Sequence, residues 1–99
     1  MLDTALAYLA RGWSVIPLWA PDEQGICNCW QEFCKSPGKH PALDGWATYY
    51  QRRATPDEVT SWFRAGQRNV GIATGAVSGG LLVLDCDDHE TYNALCYLY

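Results

Sequence analysis

At 99 residues the chain holds one small domain, and a domain of this size buries only about 60 to 65% of the surface its unfolded chain exposes, so the core is thin and a staple is expected. Hydrophobic residues make up 48% and charged residues 18%, with five Trp and six Tyr, which excludes a disordered acidic tail, while a net charge of -4 excludes nucleic-acid binding by bulk positive charge alone. No apolar run approaches the roughly 18 residues of a membrane span, and the opening MLDTALAYLARG lacks the basic start and unbroken apolar stretch of a signal peptide, so the expectation is a soluble, cytoplasmic protein without a membrane partner.

The first element is predicted helical. Leu2, Ala5, Leu6 and Leu9 recur at helical spacing, Asp3 or Thr4 is placed to cap the start, and Gly12 suits the left-handed position that ends a helix. Trp13 to Trp19 reads as a strand, with Pro17 marking an edge or a strand end. Residues 20–48 gather most of the Pro and Gly with a Cys/His cluster, so this stretch reads as a long inserted loop without regular structure that needs a tether.

Thr55, Pro56 and Glu58 spell a helix start: Thr caps, Pro sits in the first turn where its missing N–H is harmless, and Glu58 closes a capping box. Val59, Trp62 and Phe63 supply that helix's apolar stripe and Gly66 ends it. Asn69 to Thr74 and Leu81 to Asp87 read as two strands joined by GAVSGG into an antiparallel hairpin. Leu81 to Leu84 is apolar on both faces, as in a central strand covered on both sides. His89 to Tyr99 reads as a closing helix with Tyr92, Leu95, Cys96 and Tyr99 on one face. The expected class is α/β in the α+β sense, a small mixed sheet flanked by helices with a stapled loop.

Five cysteines are an odd number for a closed disulfide framework. Cys27, Cys29 and Cys34 lie close together and are followed by His40, in CNCWQEFCKSPGKH. Three thiolates and an imidazole suffice for a closed tetrahedral zinc site with no open position for catalysis; a reduced thiol cluster without metal is the other reading. If His40 is not the fourth ligand, Glu32, Asp22 or a water must be. Cys86 and Cys96 read as small buried hydrophobes.

All seven basic residues precede position 69, and the acids Asp85, Asp87, Asp88 and Glu90 follow it without a base. Alternation along a strand puts Asp85 and Asp87 on one face, their alpha carbons roughly 6.5 to 7 Å apart. Two such carboxylates repel unless a hard cation, Mg or Mn, neutralises both; a solvated strand end is the plainer reading. Lys39, in PGKHP, is a candidate nucleotide or phosphate contact, or a solvated loop lysine. Gly75, Gly79 and Gly80 belong to a turn, and no Walker or dinucleotide fingerprint is present.

The blocks ALAYLARGWSVIPL, PGKHPALDGW, TPDEVTSWF and NVGIATGAVSGGLLVLDCDD, taken in order from about Leu2 to Asp88, resemble the N-terminal portion of the bifunctional DNA primase/polymerase (Prim-Pol) domain of the archaeo-eukaryotic primase superfamily. The resemblance implies an RRM-like mixed sheet, replication of phages, plasmids or mobile elements, and a DNA template and deoxynucleotides as partners. It makes Asp85 and Asp87 the first catalytic motif, holding Mg or Mn. Members with a Cys-rich insert before GKHP are similar at Cys27, Cys29, Cys34 and His40, which implies structural zinc.

The family also uses a histidine motif and a later acidic residue. Neither is found here, and His89 stands too close to Asp87 to serve. The expectation is therefore a single, truncated domain over residues 1–99, which needs a C-terminal half or works beside a helicase domain. Two other readings stay open: a metal-dependent transferase acting on a nucleotide sugar, which gives the zinc loop no role, and a non-catalytic zinc-stapled module that binds nucleic acid or protein.

Overall fold

The computed structural model describes residues 1–29, 34–84 and 88–98. Helix α1 spans Leu2–Ala10 and strand β1 Ser14–Trp19; a 3-10 turn follows at Trp46–Tyr50, then helix α2 at Pro56–Arg64, strand β2 at Arg68–Ala73, a second 3-10 turn at Ala76–Ser78 and helix α3 at His89–Leu98. None of the helices described is long and apolar enough to cross a membrane.

α1 begins at Met1, whose side chain makes no cap; the Met1 carbonyl takes the Ala5 N–H at 2.9 Å. Asp3 and Thr4 are thus inside the helix, not capping it, and Asp3 acts as a first-turn acid that suits the helix dipole. The end matches the sequence. Gly12 takes φ +88°, its N–H donates to Leu9, and the Trp13 N–H reaches back to Tyr8. These are the two hydrogen bonds of a Schellman ending, and the hydrophobic contact that accompanies it is present between the Tyr8 and Trp13 rings, 5.3 Å apart.

β1 and β2 pair antiparallel in the register Ser14↔Ala73 to Trp19↔Arg68. Pro17 lies inside β1 rather than at its end. Its carbonyl faces away from β2 and accepts the Ala42 N–H at 2.9 Å, so the missing N–H falls on the outer edge of the strand, where no ladder bond to β2 is lost. α2 carries the full capping box at Thr55 and Glu58 with Pro56 at its first turn. Helices α1 and α2 pack on each other and on β1, and the core between them is Ala5, Val15, Ile16, Tyr49, Ala54 and Val59, with Leu6, Leu9, Trp62 and Phe63 against it.

Several expectations are corrected. Residues 20–48 are not wholly irregular, since the turn at Trp46–Tyr50 begins within them and bridges form at Leu18↔Pro41 and Pro21↔Cys27. The hairpin between Asn69–Thr74 and Leu81–Asp87 does not form over its described part: β2 pairs with β1, and Leu81 makes only an isolated bridge to Gly75. Leu82, Val83 and Leu84 are 77%, 65% and 55% exposed, so the covered central strand is absent there; residues 85–87 lie outside the described residues. Finally, α3 forms where expected, started by the Asp88 carboxylate accepting the Thr91 N–H at 2.7 Å, but its described side chains, Tyr92 and Cys96 included, face solvent. It does not close the core, and Cys96 is not a buried hydrophobe.

The segment after β2 is locked by serine instead. Ser78 Oγ accepts the Ser14 N–H at 2.8 Å and donates to the Ala73 carbonyl, both in buried surroundings. The glycine-rich turn is thereby tied to the first residue of β1.

Candidate metal centre

The loop after β1 is built from side-chain acceptors. Asp22 accepts the N–H groups of Gln24 and Ile26, each at 2.9 Å, and its own N–H bonds the Ile26 carbonyl at 2.8 Å. This Asx turn sends the chain back alongside Pro21 and delivers Cys27. Asn28 then fastens the loop at three points: Oδ1 accepts the Ala20 N–H at 2.9 Å, Nδ2 donates to the Gln67 carbonyl at 3.0 Å, and its backbone N–H donates to Ala20 at 2.9 Å. Cys27 and Cys29, on either side of this clamp, are both buried.

The PGKHP segment closes from the other side. Gly38 takes φ +71°, and a β-carbon there would stand 2.6 Å from Pro21 Cδ, so both conformation and space demand glycine. Its N–H points at Cys27 Sγ at 3.5 Å and its carbonyl accepts from Asn69 Nδ2 at 3.1 Å. His40 hydrogen-bonds through its carbonyl to the Trp19 N–H at 3.0 Å. That leaves its imidazole Nε2 3.6 Å from Cys27 Sγ and 3.3 Å from Cys34 Sγ.

The ligand atoms of Cys27, Cys29, Cys34 and His40 all lie within 4.8 Å of one another. A tetrahedral ion with bonds of about 2.0 to 2.3 Å holds its donors roughly 3.5 to 3.8 Å apart, so the four converge on a volume of the right size. Two of the four residues are buried and two half-buried, and their donor chemistry, three soft sulfurs and one imidazole, fits zinc rather than a hard oxygen-seeking ion. Burial pushes the Cys27 thiol up, but the Gly38 N–H and contacts with His40 and Cys29 outweigh it and hold the group at about 7, well below the usual 9.0. Burial and the neighbouring Cys29 and Cys27 thiols push Cys34 up, against a hydrogen bond from the Ser36 backbone.

The sequence cluster is thus brought together with His40 as its fourth member. Asp22, the alternative ligand, has its carboxylate engaged in its own turn, and Glu32 lies outside the described residues. Asp85 and Asp87 also lie outside them. Lys39 is exposed on the loop and His89 opens α3 in solvent. Sequence reasoning missed Asn28, Asn69 and Ser78, the residues that fasten the loop and turn; an Asn between two cysteines was the available signal for the first.

The family described as bifunctional DNA primase/polymerase, N-terminal (Prim-Pol), matches residues 5–99. No curated protein and no solved structure matches the chain. With all but its first four residues inside the family match, and with the Cys/His cluster assembled within that span, the chain belongs to the family of bifunctional DNA primase/polymerase N-terminal domains.

Proposed function

We propose that the chain is the leading part of a metal-dependent nucleotidyl-transfer domain acting in DNA replication of a phage, plasmid or mobile element. In this reading Asp85 and Asp87 are the carboxylate pair for Mg or Mn, Cys27, Cys29, Cys34 and His40 form a closed structural zinc site, and a DNA template and deoxynucleotides are the substrates. The family match over residues 5–99 carries it, because that span includes both the Asp-x-Asp and the Cys/His sets.

The two donor sets suit different ions. Carboxylates attract hard Mg or Mn, thiolates and imidazole attract zinc, and a zinc held by four protein ligands keeps no position for substrate. Zinc therefore serves the fold, and the chemistry falls to the carboxylates. Divalent metal held there supplies a lowered pKa for the attacking 3' hydroxyl and charge screening for the triphosphate. Asp85 and Asp87 would hold that metal, and Lys39 offers an ammonium to phosphate from the PGKHP loop. Two carboxylates are too few for a two-metal site that also orients a triphosphate, so further acidic and phosphate-binding groups, from a C-terminal half of the domain or a helicase partner, complete it.

The test measures Mn binding and labelled deoxynucleotide incorporation. The 99-residue chain should bind Mn or Mg weakly, lose that binding with Asp85→Ala and Asp87→Ala together, and extend no primer. Joined to the later strands of a family domain it should extend one. A joined protein that stays inactive while retaining zinc would favour a non-catalytic zinc-stapled binding module instead.

A further inference from the structure

Helices α1 and α2 pack on each other, but the end of α1 and the start of α2 leave a gap. It is a cavity of about 400 Å³, walled by Leu6, Leu9 and Ala10 of α1 and by Ala54 and Pro56 at the head of α2. All five are apolar, and Leu6 and Leu9 are only half-buried whereas Ala5 of the same helix is fully covered. A cavity of about 150 Å³ accepts a benzene ring, so this one has room for a body of about two rings, within the size range of small-molecule sites.

The other two residues of the wall, Gly12 and Arg53, are bonded to each other. Arg53 Nη1 donates to the Gly12 carbonyl at 3.1 Å, and glycine makes this approach possible, since a β-carbon at position 12 would stand 2.9 Å from that nitrogen. The bond takes one of the five guanidinium N–H groups and leaves the others for a ligand. Arg53 has no carboxylate partner among the described residues: the ion pair there joins Arg52 to Glu58, whose carboxylate also takes the Tyr49 hydroxyl and the Thr55 N–H. Asp57, next to Pro56, is exposed and is not part of the wall. The negative end of α1 and the positive end of α2 both adjoin the cavity and offset one another, so the guanidinium sets its sign.

We propose that this cavity binds a small apolar monocarboxylate, its body against Leu6, Leu9 and Ala54 and its carboxylate on Arg53. The guanidinium fork matches the two oxygens of a carboxylate, and the apolar wall takes a body that water rejects. A neutral apolar molecule forgoes the first interaction and a small hydrophilic anion the second. None of the residues involved belongs to the Cys/His set or to the Asp-x-Asp pair. An occupant bridges the end of α1 and the start of α2, so it stabilises by mass action the two helices that pack on β1.

The test is an NMR titration of the zinc-loaded chain with 2-naphthoate, set against 2-naphthalenemethanol, which has the same rings and no charge. The acid should shift the resonances of Leu6, Leu9, Ala10 and Gly12, raise the melting temperature, and bind about fivefold more tightly than the alcohol, the size of one exposed ion pair. Arg53→Gln should bring the acid down to the level of the alcohol and leave the alcohol unchanged, whereas Arg53→Lys, which keeps the charge and loses the fork, should fall between. Arg64→Gln removes the same charge from the other end of α2 and should leave both probes unchanged. Should Arg53→Gln fail to fold, Ala10→Phe, at an exposed position of α1, fills the space instead and should block acid and alcohol alike. No binding by the parent chain, equal binding of acid and alcohol, shifts at Leu82 to Leu84 instead of at the cavity, or undiminished binding in the Arg53→Gln or Ala10→Phe chain would overturn the proposal. So would tighter binding of a peptide ending in Gly-Gly-Phe than of the free acid, because the cavity would then be a seat for a chain end of another protein.

Discussion

The Trp19 N–H donates to the His40 carbonyl at 3.0 Å, so a candidate metal ligand is tied through its own backbone to the outer edge of β1. With the Ala42 N–H on Pro17, this makes residues 40–42 a short cover for the strand that β2 leaves open on that side. The metal loop and the sheet are one construction.

Metal removal should therefore be felt beyond the loop. Purified protein should contain one zinc per chain, and chelation should lower the melting temperature, because the binding energy of a structural zinc is folding energy. Cys27→Ser, Cys29→Ser or His40→Ala should each abolish stoichiometric zinc, while Cys96→Ser, on exposed α3, should not. Elemental analysis with and without chelator, followed by thermal melts, checks this.

Gly38→Ala should weaken zinc binding without touching a ligand. The substitution forces a β-carbon into Pro21 at a φ of +71°, a left-handed conformation that costs an L residue about 1 to 2 kcal/mol before the clash is counted. Competition with a zinc indicator should show the lowered affinity, while Gly45→Ala, which has the same φ and open space around it, should leave zinc unaffected.

Glu58 should give the domain an acid limb. Its carboxylate takes hydrogen bonds from Arg52 at 2.8 and 3.2 Å, from the Tyr49 hydroxyl at 2.5 Å, and from the Thr55 N–H at 3.1 Å. The Arg52 bonds above all, then those from Tyr49 and Thr55, lower it from 4.5 to about 2. A carboxyl whose folded pKa is depressed stabilises the fold fully above its unfolded pKa and loses that contribution as pH falls through the folded value. The loss should thus run from about pH 4.5 down to about 2. Glu58→Gln should flatten the pH dependence of the urea midpoint across that window and cost about 1 kcal/mol at neutral pH, the size of a helix cap with a partly exposed ion pair.

Ser78→Ala should be among the more damaging single changes in this chain. It strips the buried Ser14 N–H of its acceptor, and an unsatisfied buried donor costs about 1 to 3 kcal/mol. Ser78→Thr, which keeps the hydroxyl, should recover part of the loss in the same denaturation experiment.

What could be read from the sequence was what neighbours in the chain decide. The Thr55-Pro56-Glu58 start, the Gly12 ending and the helical spacing of Leu2, Leu6 and Leu9 each carry their reason within a few residues. The Cys/His cluster was legible because metal ligation demands rare residue types. Strand partnership was not, since β2 satisfies the same hydrogen bonds whether it turns back onto Leu81–Leu84 or runs beside β1, and that choice is settled by the packing of α1 and α2 on Val15 and Ile16. Asn28 and Asn69 were invisible for a related reason. An Asn that clamps a distant carbonyl has the same local signature as one that faces water.

The cover that residues 40–42 lay along β1 has one more consequence. An uncovered β-strand edge with free carbonyls and N–H groups is a template on which other chains can add, and here the Pro17 carbonyl and the Trp19 N–H are shielded by a segment whose own position is set at His40. Loss of zinc would uncover that edge in a chain that already exposes Leu82 and Val83. A chelated sample should therefore fail by intermolecular strand addition and turbidity rather than by simple loosening, and zinc in the storage buffer would act as an aggregation inhibitor.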